Sequence, residues 1–447
     1  MAISKPDSSV VSEKVRRALQ TAVGDYRARN PRSLERFSAA TAVMPGGNTR
    51  TVLFYDPFPL SIARGEGCRL WDADGHEYID FLGEFTAGIY GHSDPDIRAA
   101  VLSALDSGID LSGHNLVEAE LARVICDRFL SIDLIRFTNS GTEANLMALA
   151  AATAFTRRRK ILVFRGGYHG GVLTFVREAS PVNVPHEFLL STYNDIEESL
   201  RLIDGHAGEI AAILVEPMLG SSGCIPGRPE FLRALRHGAS DCGALLIFDE
   251  VMTSRLSAGG LQQALGIKPD LTTLGKYLGG GLSFGAFGGR QDVMEQFDPR
   301  RSDALPHAGT FNNNVLSMAA GLAGLTRVFT PAAADTLNAR GDALRSRLNV
   351  ACRERGAQFQ FTGIGSMLCA HPTDRPIGTA ADTPAANHSL RDLFFFDMLE
   401  RGIYLARRGF MALSLPIGAA EMVRLEAAVG DFLDTRLDLV RESSERA

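Results

Sequence analysis

The sequence predicts an α/β fold: a doubly wound, mainly parallel sheet set between helices, joined to a smaller α+β part. Three observations carry this expectation. From about Asp94 to about Thr330 short apolar strands alternate with helical stretches, the pattern of parallel strands joined by crossover helices. Before them, Pro59 to Phe81 reads as a strand-rich ribbon, and after Pro331 helices and strands mix without a regular order. At 447 residues with 45% apolar content, the chain is long enough to fill the core of two domains.

Helices are expected near Ser12 to Asn30 and Ser33 to Val43, and the ribbon turns at Asp74-Gly75, a hairpin dipeptide. Residues 1–93 are assigned to the N-terminal part of the small domain and 94–330 to the large domain. The large domain carries the strands Leu134 to Thr138, Lys160 to Phe164, Ile210 to Val215, Leu245 to Asp249, Leu271 to Leu274 and Gly285 to Gly289. Residues 331–447 complete the small domain with a long helix, the ribbon Gln358 to His371, the helix Ser389 to Arg401, the strand Tyr404 to Leu415 and a helix from Ala419. Pro372 to Ala386, rich in Pro, Thr, Asp and Ala, is expected to be the loosest segment.

The chemistry centres on Lys276. It follows the apolar run ending at Gly275 and precedes Gly279-Gly280-Gly281, so it sits on a crowded turn rather than a solvated face. Burial there penalises the ammonium and frees an amine that condenses with an aldehyde as a Schiff base, the use pyridoxal phosphate makes of a lysine. Alone, the motif also suits an ordinary turn. Asp249 strengthens it: Leu245 to Phe248 read as a buried strand, and ligands bind where such strands end. A carboxylate there can hold a proton on a pyridine nitrogen; it can equally be a solvated edge or a metal ligand.

Two further segments fit a phosphate-bearing aromatic ligand. Asn139-Ser140-Gly141-Thr142-Glu143 links a strand to the alanine-rich run Leu146 to Phe155, so a helix start presents free N–H groups to one spot. A plain Ser/Thr N-cap reads the same way. Tyr168 and His169 lie between glycines after the strand ending at Phe164, where an aromatic ring can stack on a flat ligand.

In this order the motifs resemble the class III (ω-type) aminotransferases of fold-type I pyridoxal-phosphate enzymes. The resemblance spans nearly the whole chain, from Met44-Pro45-Gly46-Gly47 through Val215-Glu216-Pro217 and Asp249-Glu250-Val251 to Gly309-Thr310-Phe311. It implies a mainly parallel seven-stranded sheet and pyridoxal 5′-phosphate as cofactor. It makes Lys276 the Schiff-base and proton-moving lysine, Asp249 the partner of the pyridine nitrogen, and Gly141 with Thr142 the phosphate cup. It also places Ser140, His169 and Glu216 in the cofactor site, with Tyr168 on one ring face and Val251 on the other. Thr310 is implied to reach the phosphate of a neighbouring subunit, which makes the protein a homodimer with shared active sites.

Substrate choice must come from elsewhere. Arg50 follows a glycine turn and precedes Val52-Leu53-Phe54-Tyr55, so its guanidinium can grip a carboxylate beside an apolar wall. Arg408 is the second candidate: in a strand through Arg407-Arg408, one of the two faces inward, and Gly409 leaves Arg408 the room. Within the class the chain resembles most the β-amino acid (β-phenylalanine) aminotransferases, through residues 48–55, Ala87 to His92 and Arg408-Gly409-Phe410. That resemblance gives Arg50 the carboxylate of the β-amino acid, Arg408 a carboxylate of the 2-oxo acid acceptor, and Tyr90 a substrate contact. The expected reaction is ping-pong transamination from a 3-amino acid to 2-oxoglutarate or pyruvate. Glutamate-1-semialdehyde 2,1-aminomutase is a rival, though its usual longer spacing between Pro-Gly-Gly and the arginine is absent here. A diamine or ω-amino acid aminotransferase and a non-catalytic binding protein are the others.

Composition sets the limits. Lys plus Arg of 46 against Asp plus Glu of 52 leaves −6, a balance that argues against nucleic-acid or membrane-surface partners. No run approaches the roughly 20 apolar residues of a membrane span, and Met1 to Asp7 lacks the apolar core of a signal peptide. The six scattered cysteines read as reduced thiols of a cytoplasmic protein. No histidine pattern calls for a metal, and His92 and His114 are given no role.

Overall fold

The structure, a computed structural model, describes residues 13–176, 180–383 and 388–441. It opens with helices α1 (Glu13–Arg29) and α2 (Pro31–Thr41). Pro31 at the first helical position has the preset φ that starts a helix. The three strands of the expected ribbon follow as β1 (Ile62–Glu66), β2 (Arg69–Asp72) and β3 (Glu77–Asp80). Their Asp74 turn has a second use. Its carboxylate accepts from Arg32 N (2.8 Å) and Ser33 N (3.0 Å), satisfying free donors at the start of α2.

Helices α3 (Pro95–Asp106) and α4 (Glu118–Arg128) lead into the large sheet. Its first strands are β4 (Leu134–Thr138), β5 (Lys160–Arg165), β6 (Glu187–Thr192) and β7 (Ile210–Val215). After the short hairpin β8 (Met218–Leu219) and β9 (Ile225–Pro226) come β10 (Leu245–Asp249), β11 (Leu271–Gly275) and β12 (Gly285–Gly289). The order across the seven-stranded sheet is β4-β12-β11-β10-β7-β5-β6. Only β12 runs against its neighbours. Strands β7, β10, β11 and β12 are buried along their full length, which is why none of them carries a charge before Asp249 ends β10.

Six of the seven strands are the ones legible in the sequence. The seventh, β6, escapes because it is an edge strand, mostly half-buried, with Glu187 and Thr192 at its ends. Helices α5 (Gly141–Thr156), α6 (Ile196–Gly205), α7 (Pro229–Cys242) and α8 (Gly260–Leu265) make the crossovers, and α9 (Gln291–Met294) and α10 (Val315–Ala323) follow β12. Five of the six parallel strands, β4, β5, β7, β10 and β11, lead into the candidate cofactor segments from one edge of the sheet, at Thr138, Arg165, Val215, Asp249 and Gly275. Every candidate cofactor segment but the Thr310 turn leaves the sheet there.

The rest of the chain returns to the ribbon. Helix α11 (Pro331–Glu354) precedes β13 (Gln360–Ile364) and β14 (Met367–His371), and α12 (His388–Glu400) precedes β15 (Ile403–Tyr404) and β16 (Phe410–Ala412). Helices α13 (Ala419–Thr435) and α14 (Leu437–Arg441) close the described chain. β15 pairs in parallel with β3, so early and late parts of the chain share the sheet β1-β2-β3-β15.

The single strand expected from Tyr404 to Leu415 is corrected. It is two short strands in different sheets, because β16 pairs with β14 instead. Between them Gly409 N–H donates to Ala406 O (2.7 Å) and Ala406 N–H to Phe410 O (3.1 Å), closing a tight turn. Gly409 has φ +86°, and a Cβ there would lie 2.4 Å from Ala370 O, so the turn needs glycine. Of the segment expected to be loose, residues 384–386 lie outside the described residues. Its earlier part is tied down: Asn194 Nδ2 donates to Gly378 O (2.8 Å) and Thr379 N to Asp382 (2.8 Å).

Among the described residues no single helix is long and apolar enough to cross a membrane. The one helix pair that is apolar enough together is bent by 75°.

Candidate active site

Lys276 follows β11 directly, in left-handed backbone (φ 58°) that non-glycine residues rarely adopt and that recurs where function stores strain. Its amine is buried, and burial lowers its pKa to about 8. Asp249 and Glu84 oppose that shift, while Arg50 and Arg408 reinforce it. The sheet edge therefore presents an amine whose neutral form becomes the majority only as pH rises past about 8, well below an ordinary lysine.

Asp249, at the end of β10, is held on both oxygens. Its Oδ2 faces His169 Nδ1 (2.8 Å) and accepts from Asn145 Nδ2 (2.8 Å); its Oδ1 accepts from Val251 N (3.0 Å). Asn145 is fixed in turn, since its Oδ1 accepts from Thr273 Oγ1 (2.7 Å) and its Nδ2 also reaches His169 O (3.0 Å). The sequence reading gave Asn145 no role. A lone asparagine on the buried side of an alanine-rich helix is the signal that finds it.

Ser140 caps α5 by accepting from Glu143 N (3.1 Å), so the N-cap reading of this segment holds as well. With Glu143 and Ala144 N–H taken by Ser140, the N–H groups of Gly141 and Thr142 are left without a partner among the described residues. They point from a helix start, where anions are favoured. Close packing brings the neighbouring pieces in. A Cβ on Gly141 would lie 2.8 Å from Val251 Cγ2, and one on Gly285 would lie 2.1 Å from Ser140 O, so Val251 and β12 both press against this helix start.

The loop after β5 carries Tyr168, half exposed, and His169, buried on Asp249. Glu216 works from behind this loop: its buried carboxylate accepts from Tyr168 N (2.8 Å) and Gly220 N (3.0 Å). Burial pushes its pKa up to about 7, with His169 opposing and Asp249 adding to the rise. It positions Tyr168 through the backbone.

Beyond the sheet edge the two arginines meet on one ring. The guanidinium carbon of Arg408 is 4.9 Å from the Phe85 ring centre and 5.7 Å from that of Phe410, and the Arg50 carbon is 6.0 Å from Phe85. The two phenylalanines stack with centres 5.8 Å apart. Burial lowers the pKa of Arg408, whose Nε is a buried donor without a partner, and no carboxylate among the described residues pairs with it. Arg407 instead forks onto Asp392 at 2.8 and 2.6 Å. A turn, rather than strand alternation, decides which arginine faces inward.

Arg50 forms an ion pair with Glu84. Both side chains are about half exposed, at 45% and 50%, so the pair is worth about 1 kcal/mol or less. Glu84 lies in an unusual stretch: Gly83, Glu84, Phe85 and Thr86 have φ of 54°, 47°, 52° and 82°. Each non-glycine residue held this way costs on the order of 1–3 kcal/mol. Asp80 Oδ1 meets part of the cost by accepting from Leu82 N (2.8 Å) and Gly83 N (3.0 Å). Neither Glu84 nor Phe85 was singled out from sequence, because no residue type in Glu-Phe-Thr signals a left-handed run.

Two expected residues lie elsewhere. Tyr90 is corrected as a substrate contact: it is buried in the core with its ring 6.4 Å from Tyr277, and a Cβ on Gly324 would lie 2.5 Å from its hydroxyl. It supports the Lys276 turn from the inside. Thr310 sits on an exposed turn that Asn312 ties to Asn139 Nδ2 (2.9 Å).

A lysine, a tethered aspartate, a helix-start anion site and a stackable tyrosine on one sheet edge define a fold-type I aminotransferase site. The family described as aminotransferase class-III matches residues 54–409, and the chain belongs to it. It is 58% identical over 416 residues to a beta-phenylalanine transaminase of Variovorax paradoxus, covering 93% of this chain and 96% of that one. The crystal structure of a β-phenylalanine aminotransferase from Variovorax paradoxus superposes with a TM-score of 0.94 at 57% identity, over 95% of this chain and 99% of the other. A transaminase solved with PLP bound has a TM-score of 0.85 at 32% identity, over 92% and 99% of the two chains. A glutamate-1-semialdehyde 2,1-aminomutase of Desulforudis audaxviator is 38% identical over 403 residues, 86% of this chain and 93% of that one.

Proposed function

We propose that this aminotransferase moves the amino group of a β-amino acid, of the β-phenylalanine type, to a 2-oxo acid such as 2-oxoglutarate or pyruvate. The observation that carries the substrate assignment is the pair Arg50 and Arg408 packed on the one Phe85 ring, with the Nε of Arg408 buried without a partner and no carboxylate paired with its guanidinium among the described residues. A buried unpaired guanidinium is costly unless an anion meets it, and both substrates are carboxylates. The likeness to the Variovorax paradoxus enzyme supports the same choice of donor.

The residues fit pyridoxal phosphate. The helix start at Gly141 and Thr142 offers free N–H groups for a phosphate, and a side chain on Gly141 would collide with Val251. The chemistry that side chains cannot supply, an aldehyde and an electron-accepting ring, comes from that cofactor when bound. Lys276 would hold it, and the neutral Nζ of the freed lysine would be placed to take a proton from the amine-bearing carbon of the donor. Asp249 keeps a proton on the ring nitrogen, and Asn145 and His169 keep Asp249 in place. Tyr168 and Val251 would flank the cofactor ring, while Arg50 and Arg408 would orient the donor and acceptor carboxylates.

The protein acts as a homodimer in this proposal, with Thr310 of each subunit serving the phosphate site of its partner. Exposed Leu116, Leu282 and Phe311 offer apolar surface for such a contact. A cytoplasmic location belongs to the same reading and is supported by six cysteines that are all free thiols.

Two outcomes test it. Arg50→Ala is expected to lower kcat/KM for 3-amino-3-phenylpropanoate by about 1.5–3 kcal/mol, the worth of hydrogen bonds to a charged group, while sparing amines without a carboxylate. Arg408→Ala should damage the half-reaction with 2-oxoglutarate more than that with the β-amino acid, as stopped-flow spectra of the cofactor report. Equal losses in both half-reactions refute the division, and turnover of glutamate-1-semialdehyde without an external acceptor makes the protein an aminomutase. The lowered pKa of Lys276 gives a pH dependence: the neutral amine gains population as pH rises through about 8. Covalent reloading of the apoprotein with cofactor should therefore accelerate up to that pH and level off, where an unperturbed lysine would keep accelerating past pH 9.

A further inference from the structure

We propose that Glu84 sets the preference among amine donors, as an internal carboxylate that occupies Arg50 until the carboxylate of a substrate displaces it. The inference rests on the reading of Arg50 as the donor-carboxylate site.

Placement is the first support. From Phe81 to Thr86 every residue is buried except Glu84, so the segment offers one side chain to the site, and that side chain meets Arg50. Backbone is the second. Three successive non-glycine residues in left-handed conformation split the segment: Phe85 turns under Arg408 and onto Phe410, while Glu84 stays out on Arg50. A connection that only left β3 for the next turn would gain nothing from this strain. Both sides of Glu84 are anchored, by Asp80 on Leu82 and Gly83, and by Gly88 N–H on Gly83 O (3.0 Å). The carboxylate is therefore presented to Arg50 without the rest of the segment having to move.

Charge is the third support. Arg50 and Glu84 act on the Lys276 amine with opposite sign, so each offsets the other there. A donor carboxylate that takes Arg50 replaces one negative partner by another. A donor without a carboxylate leaves the original pair in place, and no bare guanidinium faces its apolar group. Glu84 thus makes the site tolerant of both donors, at the expense of affinity for the carboxylate-bearing one.

The test compares the cofactor-loaded wild type, Glu84→Gln, Glu84→Asp and Arg50→Ala, with 3-amino-3-phenylpropanoate and 1-phenylethylamine as donors and one common acceptor. Glu84→Gln should raise the ratio of kcat/KM for the carboxylate donor over the plain amine by about fivefold or more, through a lower KM at nearly unchanged kcat. Glu84→Asp, which keeps the charge, should stay within about twofold of wild type. An unchanged or lower ratio in Glu84→Gln overturns the proposal. Glu84→Ala serves as a second neutral variant, and loss of bound cofactor in both neutral variants would make Glu84 structural and equally overturn it. If Arg50→Ala loses the carboxylate donor while Glu84→Gln leaves the ratio alone, only the Glu84 inference falls. If Arg50→Ala leaves the carboxylate donor untouched, the assignment of Arg50 falls and this inference with it.

Discussion

Replacing Lys276 by alanine is expected to remove both the visible absorbance of the cofactor-loaded enzyme and nearly all turnover, by about 10⁴-fold or more. Two functions disappear together, the covalent hold and the only neutral amine at this sheet edge that the described residues provide. The fold should survive. Lys276 makes none of the ion pairs found among the described residues, and truncating a buried cation relieves a desolvation penalty. Far-UV circular dichroism and the melting temperature check the fold, and visible absorbance with single-turnover rates checks the function. A variant that kept the absorbance band and rate would sink the assignment.

Asp249→Asn carries the second largest effect, a loss of about 10²–10³-fold in kcat with cofactor still bound. The charge proposed to keep a proton on the ring nitrogen is gone, while the helix start proposed for the phosphate at Gly141 and Thr142 and the lysine remain. The amide also brings a mismatch. Asn145 Nδ2 and His169 Nδ1 both approach Oδ2 at 2.8 Å, so one orientation of the new amide faces donors with a donor. Cofactor spectra shifted from wild type with retained stoichiometry, together with slow single-turnover proton removal, are the expected signature. Wild-type turnover in Asp249→Asn would make the carboxylate structural.

What sequence alone could reveal follows the physics of each element. The ends of β10 and β11 were legible because uncharged, mainly apolar stretches stop at an acid and just before a lysine, the look of parallel strands buried on both faces. The start of α5 was legible because small and hydroxyl residues precede an alanine-rich helix. Tyr90 misled because a buried aromatic beside glycines looks the same whether its ring faces a ligand or the core. The break between β15 and β16 was hidden because apolar residues flank it on both sides and the pair Arg407-Arg408 suits a strand as well as a turn, so only Gly409 marks it. Glu84 and Phe85 were out of reach for another reason: contacts from Asp80 and Phe410, distant or unremarkable in sequence, impose their left-handed backbone.

The break at Arg407-Arg408 also works as a ruler. Arg407 is clamped to Asp392 on α12, the same helix presents Phe395 to Tyr55 at 4.8 Å, and Tyr55 lies one short turn past Arg50. An aromatic seam in the interior thus links the backbone that carries Arg50 to the turn that carries Arg408, alongside the Phe85 ring on which both guanidinium groups pack. Trimming Phe395 or Tyr55 would loosen that link, and a change confined to the interior would re-aim Arg50 without touching any residue that lines the site.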